Sequence, residues 1–174
     1  RVGGPKFKFS LAAYSYRELL TGSSPELTLD DFLVDCAKMN LDGTELTSYY
    51  FPPQPTTEYL CHLKQLAFRL GLDISGTAVR NDFCMPPGPR RDEQLAHVKQ
   101  WVDHAAVLAT PVIRIFSGAA RDGQSRDEAH KLAVEGIEEC CAYAAQRGVF
   151  LALENHGGLT DDVDGLLALV RDVQ

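Results

Sequence analysis

The sequence has 174 residues, of which 17 are Lys or Arg and 24 are Asp or Glu, giving a formal net charge of −7. With 45% hydrophobic residues, it has the composition of a folded domain that can bury a core, not of a disordered chain. The excess of acidic residues disfavours a nucleic-acid partner, because nucleic-acid binders need Lys and Arg to neutralise phosphates. No apolar run approaches the ~20 residues that span a bilayer, so we expect no membrane partner.

Five short apolar or β-branched runs alternate with segments of helical period. In chain order, the predicted strands are residues 7–13, 41–46, 72–79, 112–116 and 149–153. The first intervening segment carries apolar residues at helical spacing, namely Leu29, Phe32, Leu33 and Cys36. Strands that alternate with helices pair in parallel, and the helices cover the sheet.

Capping residues mark the ends of the predicted helices. Ser125 followed by Glu128 has the pattern of a capping box. Thr160, followed by two aspartates, is predicted to be the N-cap of the last helix. Gly71 and Gly148 come where the second and fourth helices should end, as glycines after a helix commonly do. These signals give five strand–helix units.

One strand and one helix in every ~35 residues suit a (β/α) barrel or an open doubly wound sheet. A dinucleotide-binding sheet carries G-x-G-x-x-G after its first strand, but residues 13–18, Ala-Tyr-Ser-Tyr-Arg-Glu, contain no glycine. The long polar and aromatic loops all follow strands, as at the active face of a barrel. We therefore predict an α/β fold of the TIM-barrel type, with parallel strands in one domain over residues 1–174. A barrel has eight units and about 250 residues, so five units predict one truncated on its C-terminal side.

The segment 149–158 is the most informative for function. A hydrophobic strand ends in Glu154, which is followed by Asn155, His156 and two glycines. An ionised carboxylate at the end of a buried strand needs a cation or hydrogen-bond donors. A divalent metal ion is one such partner, since carboxylate and imidazole ligands suit Mn, Mg, Co or Zn. An ion pair with an arginine, for instance Arg114, is the other, and the strand alone does not decide between them.

Three segments of the chain resemble one family. They are residues 151–158 (LALENHGG), 41–46 (LDGTEL) and 112–116 (VIRIF). They are similar to the N-terminal part of the sugar phosphate isomerase/epimerase group of xylose-isomerase-like TIM barrels. That group includes ketose epimerases, hydroxypyruvate isomerases, inosose dehydratases and apurinic-site endonucleases.

The resemblance implies two roles for Glu154, because the Glu that ends strand five in this group binds the metal ion and transfers protons. The other ligands of the group, an Asp, a His and a Glu on strands six to eight, are expected beyond residue 174. The isolated chain is therefore expected to lack a complete active site. The implied reaction is isomerisation or epimerisation of a ketose-like sugar. One carboxylate removes a proton beside a metal-polarised carbonyl, and a second returns it to a metal-stabilised enediolate.

Five more residues are candidate substrate ligands. Glu45, at the end of strand two, either contacts the substrate or hydrogen-bonds the loop that follows. Arg114 lies within a strand and must be paired, and we favour an ion pair inside the barrel over contact with the substrate. His156 either binds the substrate or orients the strand-five carboxylate. Tyr14 and Asn81, after strands one and three, are candidate partners of sugar hydroxyls.

Several functional hypotheses stay open. The first is a metal-dependent sugar isomerase or epimerase with a small sugar as substrate. The second is a sugar-binding relative without catalysis, or a barrel fragment inactive by itself. A DNA-repair endonuclease is disfavoured by the acidic charge and by the absence of His after strands one to four. A half-barrel that completes its sheet by forming a homo-oligomer is the last. We expect a cytoplasmic protein, although the sequence starts without Met and export stays open.

Overall fold

The computed structural model describes residues 7–174. At its centre is a parallel sheet of five strands. In spatial order, which is also chain order, its strands are Ser10–Ala12 (β1), Gly43–Thr47 (β2), Asp73–Ala78 (β3), Val112–Ile115 (β4) and Phe150–Leu153 (β5). Each strand pairs in parallel with the next. A doubly wound sheet reverses its strand order at a switch point, whereas sequential order is that of a barrel. The predicted TIM-barrel type with five strand–helix units is confirmed.

Helices follow each strand. They are Arg17–Leu20 (α1), Leu29–Lys38 (α2), Thr57–Leu70 (α3), Pro89–Leu108 (α4), Arg126–Ala145 (α5) and Val163–Asp172 (α6). Short 3₁₀ turns at Ala13–Tyr16 and Ser48–Tyr50 directly follow β1 and β2. Within residues 7–174, no helix combines the length and the apolar character needed to cross a membrane.

Some predicted boundaries were wrong. The first strand covers three residues instead of the seven of segment 7–13, because residues 13–16 turn into a 3₁₀ helix. The N-cap of α6 is Asp162, whose Oδ1 accepts a hydrogen bond from the Gly165 amide at 2.6 Å. Thr160 instead donates its hydroxyl to the carbonyl oxygens of Glu154 and Gly157. The capping box at the start of α5 is confirmed.

The two faces of the sheet differ in what covers them. Leu46, Ile113 and Ile115 are buried and belong to the hydrophobic core. Glu45 and Arg114 alternate with them along β2 and β4 and are only partly buried, since successive strand residues point to opposite faces. The alternation therefore places the core on the helix side and leaves polar side chains on the other face.

Candidate active site

A cavity of about 640 Å³ opens where the five strands end. Its lining residues are Ala12, Tyr14, Glu45, Tyr49, Arg80, Arg114, Phe116, Glu154 and His156. Every strand contributes at least one of them, either from its last residues or from the loop that follows. Parallel strands have their carboxyl ends at the same edge, so the topology alone gathers these residues at one end of the sheet.

An ion pair between β4 and the residue that follows β5 lines this cavity. Arg114 Nε is 2.7 Å from Glu154 Oε2, and the two side chains are 20% and 39% exposed. The guanidinium also donates through Nη1 to the Val79 carbonyl at 2.8 Å and through Nη2 to the Tyr49 hydroxyl at 3.3 Å. The ion pair favoured for Arg114 from the sequence is thus present, and its partner is Glu154. Because Glu154 also borders the cavity, the pairing does not hide its carboxylate.

The second oxygen of Glu154 faces an imidazole. His156 Nδ1 lies 3.4 Å from Glu154 Oε1. The His156 ring stacks on the Phe116 ring, with 4.4 Å between the two centroids. Arg114 Cζ also lies over the Phe116 ring, 4.0 Å from its centroid. Arg114 and Phe116 stand two positions apart at the end of β4 and share a face. Glu154 and His156 meet through a tight turn after β5, in which the His156 amide donates to the Glu154 carbonyl at 3.0 Å. Oε2 is therefore committed to Arg114, while Oε1 faces His156.

Glu45 supplies a second carboxylate on the cavity wall. Its Oε1 accepts a hydrogen bond from the Thr47 hydroxyl at 3.3 Å, not from the loop 48–50. Burial raises the pKa of Glu45, and the nearby charge of Glu154 adds to this, whereas Arg114 opposes it. Glu45 thus keeps a proton at higher pH than an exposed glutamate does.

The structure does not bring Asn81 into the cavity. This side chain is 5% exposed, and its amide pairs with the backbone of Phe116 in both directions. Nδ2 donates to the Phe116 carbonyl at 2.7 Å, and Oδ1 accepts from the Phe116 amide at 2.9 Å. Asn81 ties the end of β3 to the end of β4. The other five candidates, Tyr14, Glu45, Arg114, Glu154 and His156, do meet in one cavity.

Besides Ala12, three lining residues were not among the sequence candidates. Phe116 stands two positions after Arg114, so the period of the strand could have identified it. Tyr49 lies in the turn after β2 and meets Tyr14 edge to face, with 6.5 Å between ring centroids. Arg80 comes two residues after β3, and no pattern in the sequence separates it from other loop arginines.

The described residues do not by themselves form a metal site. Within residues 7–174, no three or more His, Cys, Asp or Glu side chains are grouped so that they could hold a metal ion. Glu154 and His156 offer one carboxylate and one imidazole, and an arginine engages one carboxylate oxygen. A bound divalent ion needs more ligands than these.

Comparison with known proteins agrees with the fold. A family model described as "Xylose isomerase-like TIM barrel" matches residues 33–174. A solved D-psicose 3-epimerase, determined in the presence of D-fructose, is 17% identical with a TM-score of 0.78 and covers 96% of this chain. A D-psicose 3-epimerase with D-tagatose from Clostridium cellulolyticum H10 is 16% identical, with a TM-score of 0.76 over 97% of this chain. No curated protein matches the sequence.

A probable 3-DHS dehydratase from Bacillus anthracis shares the architecture as well. It is 23% identical, with a TM-score of 0.69 and 96% of this chain covered. The present chain spans 60% of the length of each of the two epimerases and 59% of the dehydratase. At these identities, the likeness concerns the fold.

Proposed function

Because the chain belongs to the xylose isomerase-like TIM barrel family, we propose that it is a sugar isomerase or epimerase acting on a ketose-like carbohydrate. The observation that carries this proposal is the Glu154 carboxylate at the end of β5. One of its oxygens is fixed by Arg114, and the other faces His156 in the cavity. Structural neighbours that are epimerases of psicose and ribulose support a sugar as the substrate.

In this proposal, Glu154 transfers the proton. Its Oε1 removes a proton from the carbon beside the ketose carbonyl, and the electron pair moves to the carbonyl oxygen to give an enediolate. The enediolate takes a proton back, on the adjacent carbon from Glu154 in isomerisation or on the opposite face from a second acid in epimerisation. Arg114 holds Oε2 and so fixes the direction of the carboxylate. Tyr14 and His156 bind sugar hydroxyls at the rim. Glu45, whose pKa is raised by burial, donates a hydrogen bond to a substrate oxygen when protonated.

A divalent metal ion also belongs to this proposal, with Glu154 as one ligand and Mn, Mg, Co or Zn as candidates. The described residues hold no complete ligand set, so we assign no proton-transfer step to the ion.

A second candidate function is sugar binding without catalysis. The observation in its favour is the ion pair itself, because a carboxylate neutralised by Arg114 can hold a sugar hydroxyl without accepting a proton from carbon. The two candidates differ in one measurable property, which is exchange of a carbon-bound hydrogen with solvent.

The test is to incubate the full chain with D-fructose, D-psicose or D-tagatose in D₂O, with and without each metal ion. Proton NMR then follows deuterium incorporation next to the carbonyl. We expect Glu154→Gln to lower the exchange rate at least about 100-fold, as loss of a general base does. Glu93→Gln, on the exposed side of α4, is the matched control and should exchange at the wild-type rate.

Exchange that survives Glu154→Gln would refute the role of this carboxylate. If no sugar exchanges, but binding persists in EDTA, the chain by itself binds sugar without catalysis, which is the second candidate function.

A further inference from the structure

Arg80 differs from the other charged residues of the cavity. The cavity contains two carboxylates, Glu45 and Glu154, and both interact electrostatically with Arg114. Arg80 also lines the cavity and is exposed, yet within residues 7–174 its side chain has no hydrogen bond or ion pair. The cavity thus presents one guanidinium whose charge no neighbouring carboxylate compensates.

The position of Arg80 sets its distance from the proposed proton-transfer group. Arg80 follows Val79, whose carbonyl accepts from Arg114, so it stands at the end of β3. Glu154 follows β5, two strands away. Neighbouring strands are about 4.8 Å apart, which separates the two strand lines by roughly 10 Å. From the carbon beside the carbonyl to a terminal carboxylate carbon or phosphorus, an extended six-carbon ketose covers roughly 4–6 Å, at about 1.2 Å of advance per bond. The side chains of Arg80 and Glu154 extend from their strand lines and can reach across the remainder.

We propose that Arg80 binds an anionic substituent, a carboxylate or a phosphate, at the end of the sugar that is remote from the carbonyl. A guanidinium suits both groups, because its planar fork pairs with two of their oxygens. The assignment of the carbonyl end to Glu154 rests on the proposed function, whereas the preference for an anion rests on Arg80 alone. The substrate class is then an acidic or phosphorylated ketose, which binds more tightly than its neutral counterpart.

The test compares three ketoses that differ at one carbon: D-fructose, D-fructuronate and D-fructose 6-phosphate. Isothermal titration calorimetry measures their binding to the full chain, to Arg80→Gln and to Arg69→Gln. Arg69 is an exposed arginine of α3 outside the cavity and serves as the matched control. We expect at least one anionic ketose to bind about tenfold more tightly than fructose, a difference of about 1.4 kcal/mol.

The two variants distinguish loss of the Arg80 charge from a general effect of replacing an arginine. Arg80→Gln should remove the preference for the anionic ketose, and Arg69→Gln should keep it. The preference should also shrink as salt rises from about 0.01 to about 0.5 M, because exposed charges are screened. A preference for fructuronate alone, or for the phosphate alone, supports the proposal and identifies the anion.

Equal affinity of the wild type for all three ketoses, or a preference that persists in Arg80→Gln, would overturn the inference. Inorganic phosphate that binds as tightly as the sugar phosphate would overturn it as well, because the sugar would then contribute nothing. The two proposals fail separately. If no ketose exchanges hydrogen but the Arg80-dependent preference is present, the proposed function fails and the anion site stands. If fructose exchanges hydrogen but no preference for an anionic ketose is found, the proposed function stands and the anion site fails.

Discussion

Two largely buried arginines hold two different regions together, the seam between α4 and α5 and the cavity at the strand ends. Arg91 in the seam is 8% exposed, and its described hydrogen bonds go to the carbonyl oxygens of Phe83, Met85 and Leu132 at 2.6–3.2 Å. Arg114 in the cavity instead pairs with the carboxylate of Glu154. In the seam, carbonyl dipoles of the backbone are sufficient partners for the Arg91 guanidinium, which only joins two segments of the chain. A carboxylate stands beside the charge where the arginine borders the open cavity.

Arg91→Met should break the seam and give the largest effect. It keeps much of the aliphatic stem but removes three hydrogen bonds to carbonyl oxygens, of which the one to Phe83 is buried, and this should cost about 3 kcal/mol of unfolding free energy. Urea denaturation followed by circular dichroism measures this. Arg90→Met, an exposed neighbour on α4, is the control and should cost less than about 0.5 kcal/mol. An unchanged stability in Arg91→Met would mean that water replaces the guanidinium and that the seam does not depend on it.

Arg114→Gln should change activity more than stability, unlike Arg91→Met, which acts on stability. Without the guanidinium, Glu154 loses the contact that directs its carboxylate. We expect the exchange rate in D₂O to fall about 100-fold, or about 2.7 kcal/mol in activation free energy. The unfolding free energy should fall less than in Arg91→Met, because both partners are partly exposed. A variant with full exchange activity would show that the ion pair is only structural.

Gly136→Ala should confirm how tightly the seam is packed. A Cβ atom at this position of α5 would lie 2.8 Å from Phe83 Cδ1 and 3.3 Å from Phe83 Cβ. Phe83 is 1% exposed and its carbonyl is held by Arg91, so it cannot move freely. We expect a loss of about 2 kcal/mol, although alanine has the higher helix propensity. Glu135→Ala, exposed on the same helix, controls for propensity, and a stabilised Gly136→Ala would contradict the packing.

The sequence predicts the scaffold better than it predicts the site. Strand positions follow from runs of apolar residues that local composition determines, and the Glu154–His156 pair stands out because polar residues end a hydrophobic strand. Asn81 and Phe116, in contrast, meet across 35 positions of sequence. Their hydrogen bonds depend on the register of β3 against β4, which no local pattern reveals. For the same reason, Asn81 resembled a sugar ligand, and Arg80 resembled an ordinary loop arginine.

The smallest predicted effect concerns pH and two histidines on α4, the helix that also carries Arg91. Burial lowers the pKa of His97 and His104 below the ordinary 6.5, and for His104 the charge of Asp103 opposes this while His97 adds to it. His104 Nε2 is also buried without a hydrogen-bond partner among the described residues. Between the lowered pKa and 6.5, the unfolded chain binds more protons than the folded one. Stability contributed by these groups is therefore present above pH 6.5 and decreases as the pH falls.

Other groups titrate in the same acid range, so the comparison must be between variants. Glu45, with a raised pKa, contributes in the opposite direction, since its folded form binds the extra proton. Unfolding free energies measured at several values between about pH 8 and pH 5 should decrease less steeply in the His97→Gln/His104→Gln double variant than in the wild type. Gln100→Ala, an exposed position of α4 that does not titrate, should keep the wild-type slope. If the double variant keeps it too, water reaches these imidazoles in the folded state, and α4 tolerates their charge as it tolerates that of Arg91.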